Sequence, residues 1–287
     1  MIIMTIKEVI MKFFENPVYE KVKKCDLCGE SAFRHLKRFR AREWDDTVAF
    51  YKKYAADNPF GRIHKAHNLL QCKKCGLIFV APRIKDWVVN RWYDEYLSGK
   101  YREFIIDYDQ SFREKIFQKN LEFIEQFRGG GNLIDIGCAS GGFLNIARGR
   151  YKTFGIEVSA IAGLKASEYG DVRIGDAAEQ LATFPDGFFD IAALIDSIEH
   201  LKSPAAMIRS LSPKMKACGV VFIDTPNADA EFDVSSKHFF LFSIDTLSRL
   251  LEQNGFQVIY ACTTNDIYNQ ADAVRPHRFI QVIARKQ

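Results

Sequence analysis

Four cysteines in two pairs of one form, Cys25-x-x-Cys28-Gly29 and Cys72-x-x-Cys75-Gly76, carry the clearest chemistry in the first third of this 287-residue chain. A two-residue gap sets both sulfurs on one side of a tight turn, and the glycine that follows lets the backbone fold around them. Two such turns offer four thiolates, the ligand set of a structural zinc ion. The 43 residues between the pairs exceed the usual zinc-ribbon spacing and leave room for an insertion with a helix around Trp44 to Tyr54. With Cys25, Cys28, Cys72 and Cys75 filling all four positions, the metal would staple a small module and have no open position for catalysis. Cys138, Cys218 and Cys262 are left as free thiols, and a total of seven argues against a secreted disulfide framework.

A second group of chemically able residues begins at Leu133-Ile134-Asp135-Ile136, an apolar strand that runs into Gly137-Cys138-Ala139-Ser140-Gly141-Gly142 and then a helix. The small residues Gly137, Ala139 and Gly141 let a ligand approach the backbone, and the helix start offers unpaired N–H groups. Glu157 ends the next strand 20 residues after Gly137, where a carboxylate can accept from both hydroxyls of a ribose. Asp176, followed by Ala177, closes a third strand beside the expected adenine position, a place that equally suits a helix cap. Dinucleotide sites, P-loops and plain turns share a Gly-rich turn, so the turn alone decides nothing. A nicotinamide dehydrogenase also fits Gly137 and Gly142, but leaves Asp135, Glu199-His200-Leu201 and Gly255-Phe256 unexplained.

Proton-transfer candidates lie beyond later strand ends, where a doubly wound sheet opens its crevice. They are His238, His200 and Glu199 first, with Asp196, Asp224 and Asn227 nearby. Histidine's ordinary pKa, about 6.5, suits a base working near neutrality.

The elements that must position these groups can be read from pattern. Short β-rich apolar runs occupy Leu133 to Ile136, Thr153 to Ile156, Val172 to Ile174, Phe189 to Ile195, Val220 to Ile223, Phe256 to Tyr260 and Phe279 to Ala284, with helical patterns between most of them. Ser203-Pro204 predicts one helix start, and Ser243 with Thr246 and the later Asn254-Gly255 bracket another. The spacing predicts an α/β fold, a doubly wound seven-stranded sheet with helices on both faces and an antiparallel last strand, preceded by the small cysteine module. Domain boundaries are expected at 1–85 for the module, 86–127 for a helical, aromatic-rich connector, and 128–287 for the sheet domain.

In this order the motifs resemble the class I S-adenosylmethionine methyltransferases, a Rossmann-like family, over roughly residues 120 to 287. The resemblance rests on Leu133 to Phe143, Gly155-Ile156-Glu157, Gly175-Asp176-Ala177, Phe189 to Leu201 and the stretch from His238 to Phe256. It implies that Asp135 engages the methionine amino group, the Gly137 to Gly141 turn passes under the methionine, Glu157 holds the ribose, and Asp176 and Ala177 lie at the adenine. Asp196 joins the cofactor site by the same likeness. Ala139 departs from the family's usual middle glycine and narrows the loop slightly. The cysteine pairs, the Leu77-Ile78-Phe79-Val80 strand, Pro82 and Trp92-Tyr93-x-x-Tyr96 also resemble a narrower group of bacterial-type methyltransferases. That group is associated with sugar-nucleotide, surface-polysaccharide and natural-product substrates, and its N-terminal module helps close the substrate site. Trp92, Tyr93, Tyr96, Tyr101 and Tyr108 would cover the substrate or fill an interdomain core.

Charge bears on partners. Residues 1–85 hold 18 Lys and Arg against 9 Asp and Glu, and the remainder 22 against 27. A basic front allows an anionic small-molecule acceptor, with a nucleic acid or protein acceptor, or a non-catalytic binding protein, as the alternatives. Residues 1–15 mix charged with apolar side chains and lack a secretory apolar core, and no run approaches a membrane span, so a cytoplasmic protein without membrane insertion is expected. The acceptor atom and the oligomeric state are not encoded in any of these motifs.

Overall fold

The computed structural model describes residues 19–39, 67–85, 87, 89, 113–230, 238–264 and 278–287. The helix expected around Trp44 to Tyr54 and the aromatic stretch Trp92, Tyr93, Tyr96, Tyr101 and Tyr108 lie outside them. Five strands come first: β1 (Tyr19–Glu20), β2 (Phe33–Phe39), β3 (His67–Cys72), β4 (Ile78–Ala81) and β5 (Arg83–Ile84). Helix α1 (Glu114–Glu125) leads into the alternating part: β6 (Asn132–Ile136), α2 (Gly142–Ala147), β7 (Lys152–Glu157), α3 (Ala160–Ala166), β8 (Asp171–Ile174), α4 (Ala177–Ala182), β9 (Phe189–Ile195) and α5 (Pro204–Leu211). It closes with β10 (Met215–Pro226), β11 (Phe240–Leu241), α6 (Ile244–Glu252), β12 (Phe256–Thr264) and β13 (Phe279–Lys286). Among the described residues no helix is long and apolar enough to cross a membrane.

Seven strands form one sheet in the order β12-β13-β10-β9-β6-β7-β8. Strands β6 to β10 pair in parallel, while β13 is antiparallel to both of its neighbours. All seven residues of β9 are buried, as a central strand covered on both faces requires. Strand alternation sorts the core into two clusters. Ile134, Ile136, Leu194, Val221 and Ile223 face α5 and α6, whereas Leu133, Ile191, Ala193 and Phe222 face α1 and α2. Each fully buried side chain of this size contributes roughly 1.5–3 kcal/mol.

The expected helix ends are present. Ser203 Oγ accepts from the Ala206 N–H at 3.2 Å with Pro204 in the first turn, and Ser243 and Thr246 form a reciprocal capping box. Each of the seven expected strands is present, and β10 is much longer than Val220 to Ile223. Its polar end, Asp224-Thr225-Pro226, stays in the sheet because β13 pairs with it, Asp224 opposite Gln281 and Pro226 opposite Phe279. Tertiary pairing outweighs local composition there.

The cysteine module is built on a second sheet in the order β11-β4-β3-β2, and its edge strand β11 comes from far down the chain. Phe240 pairs with Phe79 and Leu241 with Ile78. Asp26 ties the module to the main sheet's helices, accepting from Ser203 Oγ at 2.6 Å and from the Ala205 N–H at 2.8 Å. Arg83 donates to the Lys202 carbonyl at 2.7 Å. Leu27, Leu77 and Phe79 belong to the same hydrophobic cluster as Ile134 and Ile223, so strand pairing and core both cross the boundary expected at residue 85.

Candidate active site and cysteine centre

The turn after β6 places Gly137, Ala139 and Gly141 at positive φ, 82°, 46° and 86°. Glycine takes this conformation freely and alanine does not. Glu157, at the end of β7 and 7% exposed, compensates: Oε2 accepts the Ala139 N–H at 3.0 Å and Oε1 the Ser159 N–H at 2.8 Å. Carboxylate oxygens accept more than one hydrogen bond each, the capacity a ribose diol needs. A Cβ on Gly137 would meet the Ser197 Cβ at 2.8 Å, so only glycine lets the turn press against the end of β9. Asp135, 4% exposed, sits two residues before that turn. Asp176 is exposed and caps α4, its Oδ1 accepting from the Ala178 and Glu179 N–H groups at 2.9 and 3.1 Å; Ala177 opens that helix. The donor set, a positive-φ turn beside a buried carboxylate, fits a nucleoside-bearing cofactor.

The other candidates gather at the ends of β9 and β10. Glu199 is 1% exposed; its Oε2 accepts from Thr225 Oγ1 at 2.9 Å and its Oε1 lies 3.7 Å from His200 Nε2. The His200 and His238 rings meet edge to face with centroids 4.9 Å apart. The Glu199, His200 and His238 side chains thus converge, with their ligand-type atoms within 4.8 Å of one another. His238 is held through its neighbour: the Phe239 N–H donates to the Glu199 carbonyl at 2.8 Å, and the Val80 N–H donates to the Phe239 carbonyl at 3.0 Å. Asp196, at φ 50°, pairs with Arg113 at 2.8 Å. Asp224 accepts from Gln281 at 2.9 Å and Asn120 at 3.4 Å.

Arg113, Asn120 and Thr225 carried no signal in the sequence, since each meets its partner only through the fold. Gln281, a polar residue within the apolar run Phe279-Ile280-Gln281-Val282-Ile283, is the one that the strand pattern could have flagged.

Burial, and then the neighbouring Asp196 charge, push Glu199 and Asp224 both up to about 8. An unfolded carboxyl loses its proton near pH ~4. The stability these protons bring is therefore full below that pH and is lost as pH rises through about 8. Calorimetric midpoints should fall from about pH 5 to about pH 8 and level off above it, and in Glu199→Gln fall roughly half as steeply, since one of two such groups no longer titrates. An unchanged slope would show that Glu199 is ionised in the fold.

The four cysteine sulfurs lie within 4.8 Å of one another, Cys25 to Cys75 and Cys28 to Cys72 each at 3.5 Å. Tetrahedral zinc with Zn–S of about 2.3 Å sets sulfurs about 3.8 Å apart, so the residues fit. The two turns match: Gly29 and Gly76, at φ 74° and 82°, donate to the Cys25 and Cys72 carbonyls at 2.9 and 3.0 Å. Burial pushes the Cys25 thiol above its usual range and Cys75 up to about 11. At Cys72 burial acts upward too, but the backbone N–H groups of Cys75 and Lys74 outweigh it and hold the thiol low. A divalent cation favours the thiolate at all four.

A seven-stranded sheet in this order, with a glycine turn, a strand-end carboxylate and an antiparallel last-but-one position, defines the Rossmann-like methyltransferase fold. The chain belongs to the methyltransferase-domain family, whose model matches residues 108–261. It is 29% identical over 153 residues to a ubiquinone biosynthesis O-methyltransferase of Sodalis glossinidius (strain morsitans), covering 50% of this chain and 57% of that protein. It is 31% identical over 135 residues to one of the same name from Leptothrix cholodnii, covering 42% and 57%. The chain thus spans little more than half the length of these relatives. A SAM-dependent methyltransferase from Archaeoglobus fulgidus superposes with a TM-score of 0.55 at 21% identity, over 66% of this chain and all of that one. One from Thermotoga maritima gives 0.51 at 19%, over 69% and 98%. At these identities the structural likeness speaks for the fold.

Proposed function

We propose that this chain transfers a methyl group from S-adenosylmethionine to an oxygen of a small-molecule acceptor. The observation that carries this reading is the Glu157 carboxylate bonded to the Ala139 N–H, which joins the glycine turn and the ribose position into one cradle. The name of the relatives, O-methyltransferase, favours oxygen, and sugar-nucleotide, polysaccharide-related or natural-product acceptors fit the motif likeness of the cysteine module. Bound S-adenosylmethionine supplies an activated methyl on a sulfonium. Glu157 would hold the ribose hydroxyls, Asp135 the amino group, and Asp176 with Ala177 the adenine edge; Asp196 would lie beside the turn. A hydroxyl acceptor must lose a proton, and His238 would take it, with His200 and Glu199 packed beside it. The crevice contributes alignment and exclusion of water. Zinc, held by Cys25, Cys28, Cys72 and Cys75, would be structural.

Glu157→Ala should weaken binding of S-adenosylhomocysteine by ~1.5–3 kcal/mol in calorimetry, the loss of a charged hydrogen-bond acceptor. Unchanged affinity would remove Glu157 from the site. A mass-spectrometric screen of sugar nucleotides and other metabolites for a gain of one methyl tests the activity itself.

A further inference from the structure

The carboxyl end of β10 carries polar groups on both faces. Phe222 and Val221 mark those faces, since the first packs with α1 and the second with the opposite cluster. By strand alternation Asp224 points with Phe222 and Thr225 with Val221. Thr225 therefore serves Glu199 and the histidines, while Asp224 serves a separate station on the α1 side.

That station is built but incomplete. Asp224 is fully buried, and its Oδ2 accepts from Gln281 Nε2 at 2.9 Å and Asn120 Nδ2 at 3.4 Å. Gln281 Nε2 also donates to Asn120 Oδ1 at 3.1 Å, which closes a triangle of three side chains. Among the described residues the second carboxyl oxygen, Oδ1, has no hydrogen-bond partner. A buried polar atom left so needs an explanation, because protein interiors pair nearly all of them. Its place suggests one: Asp224 shares the strand-end crevice with Asp135, one pleat further out on the same face, and the Asp196 N–H donates to its carbonyl at 2.8 Å.

We propose that Asp224 is a specificity-determining residue whose Oδ1 receives a second polar group of the acceptor, a hydroxyl or an ammonium other than the atom methylated. The acceptor is then a small molecule with at least two such groups, one turned to the histidine side of β10 and one to Asp224. This rests on the methyltransferase reading.

The test uses the full, zinc-loaded chain with S-adenosylmethionine and four probes, phenol, catechol, benzylamine and 2-hydroxybenzylamine, read by mass spectrometry for methyl gain. Wild type should favour the two bifunctional probes by about 10²-fold in kcat/KM, the worth of one hydrogen bond to a carboxyl group. Asp224→Leu should erase that preference mainly through KM, with S-adenosylhomocysteine still raising the thermal midpoint. Asp224→Asn, which keeps the shape should the leucine variant fail to fold, should retain catechol and lose 2-hydroxybenzylamine if the anchored group is an ammonium, and retain both if it is a hydroxyl. Equal turnover of single and bifunctional probes by wild type, methyl gain on none of them, or a preference unchanged in both variants overturns the proposal. No stabilisation of wild type by S-adenosylhomocysteine would instead overturn the methyltransferase reading.

Discussion

Removal of the zinc proposed at the four cysteines, by chelation or through Cys72→Ser, should unlock the segment around His238 while leaving the proposed cofactor cradle folded. Four thiolates around one zinc contribute about 10–16 kcal/mol to the folding of such small modules. The sulfurs hold the ends of β3 and the turn into β4, and β4 in turn pairs with β11, Phe79 with Phe240 and Ile78 with Leu241. Loss of that pairing removes the Val80 to Phe239 bond that fixes the backbone beside His238. Glu157, Ala139 and Ser159 are joined to one another through β7 and the turn after β6. Hydrogen exchange should therefore rise together at residues 67–81 and 238–242 and stay slow at 132–157. S-adenosylhomocysteine affinity should change by less than about 0.5 kcal/mol, the error of treating distant sites as independent, and turnover should drop by about 10²-fold or more as the base loses its place. A purified protein without zinc, zinc retained by Cys72→Ser, or unaltered exchange at 238–242 would each contradict this coupling.

The contrast between legible and hidden parts follows from distance along the chain. The main-sheet strands could be read because each is a short β-rich apolar run, and the glycine turn because positive φ demands residues such as Gly137 and Gly141. Ala139 stood out as a departure, and its N–H bond to Glu157 shows how the fold holds an alanine there. Capping at Ser203 and Ser243 is local chemistry and was equally plain. Strand β11 was not. Two residues inside Phe239-Phe240-Leu241-Phe242 pair with a strand some 160 positions earlier, and an aromatic run gives no hint of a partner so remote. The polar triangle of Asn120, Asp224 and Gln281 is hidden for the same reason, being drawn from a helix and two strands. The same pairing explains why a boundary at residue 85 looked natural in sequence: composition changes there, whereas the hydrophobic core runs through.

His238→Ala should lower turnover by ~10²- to 10⁴-fold and leave S-adenosylmethionine affinity nearly intact. The imidazole stands 4.9 Å, centroid to centroid, from His200, whose Nε2 lies 3.7 Å from the buried Glu199 carboxyl. A proton taken from an acceptor hydroxyl would rest on the His238 imidazole, since Glu199, pushed up to about 8 and fixed by Thr225 at 2.9 Å, already carries its own proton near neutrality. The proposed cofactor cradle lies at β6 and β7, on the other side of β9 from β10 and Thr225, so binding and turnover separate in this variant. Histidine with only a structural part would behave otherwise: its loss would lower the thermal midpoint and weaken cofactor and acceptor together. Stopped assays for kcat and KM, calorimetry with S-adenosylhomocysteine and thermal unfolding on the same preparation distinguish the two. Normal stability with normal turnover would remove His238 from the reaction and leave Asp196, Glu199 or His200 as the working group, or an acceptor that arrives already deprotonated.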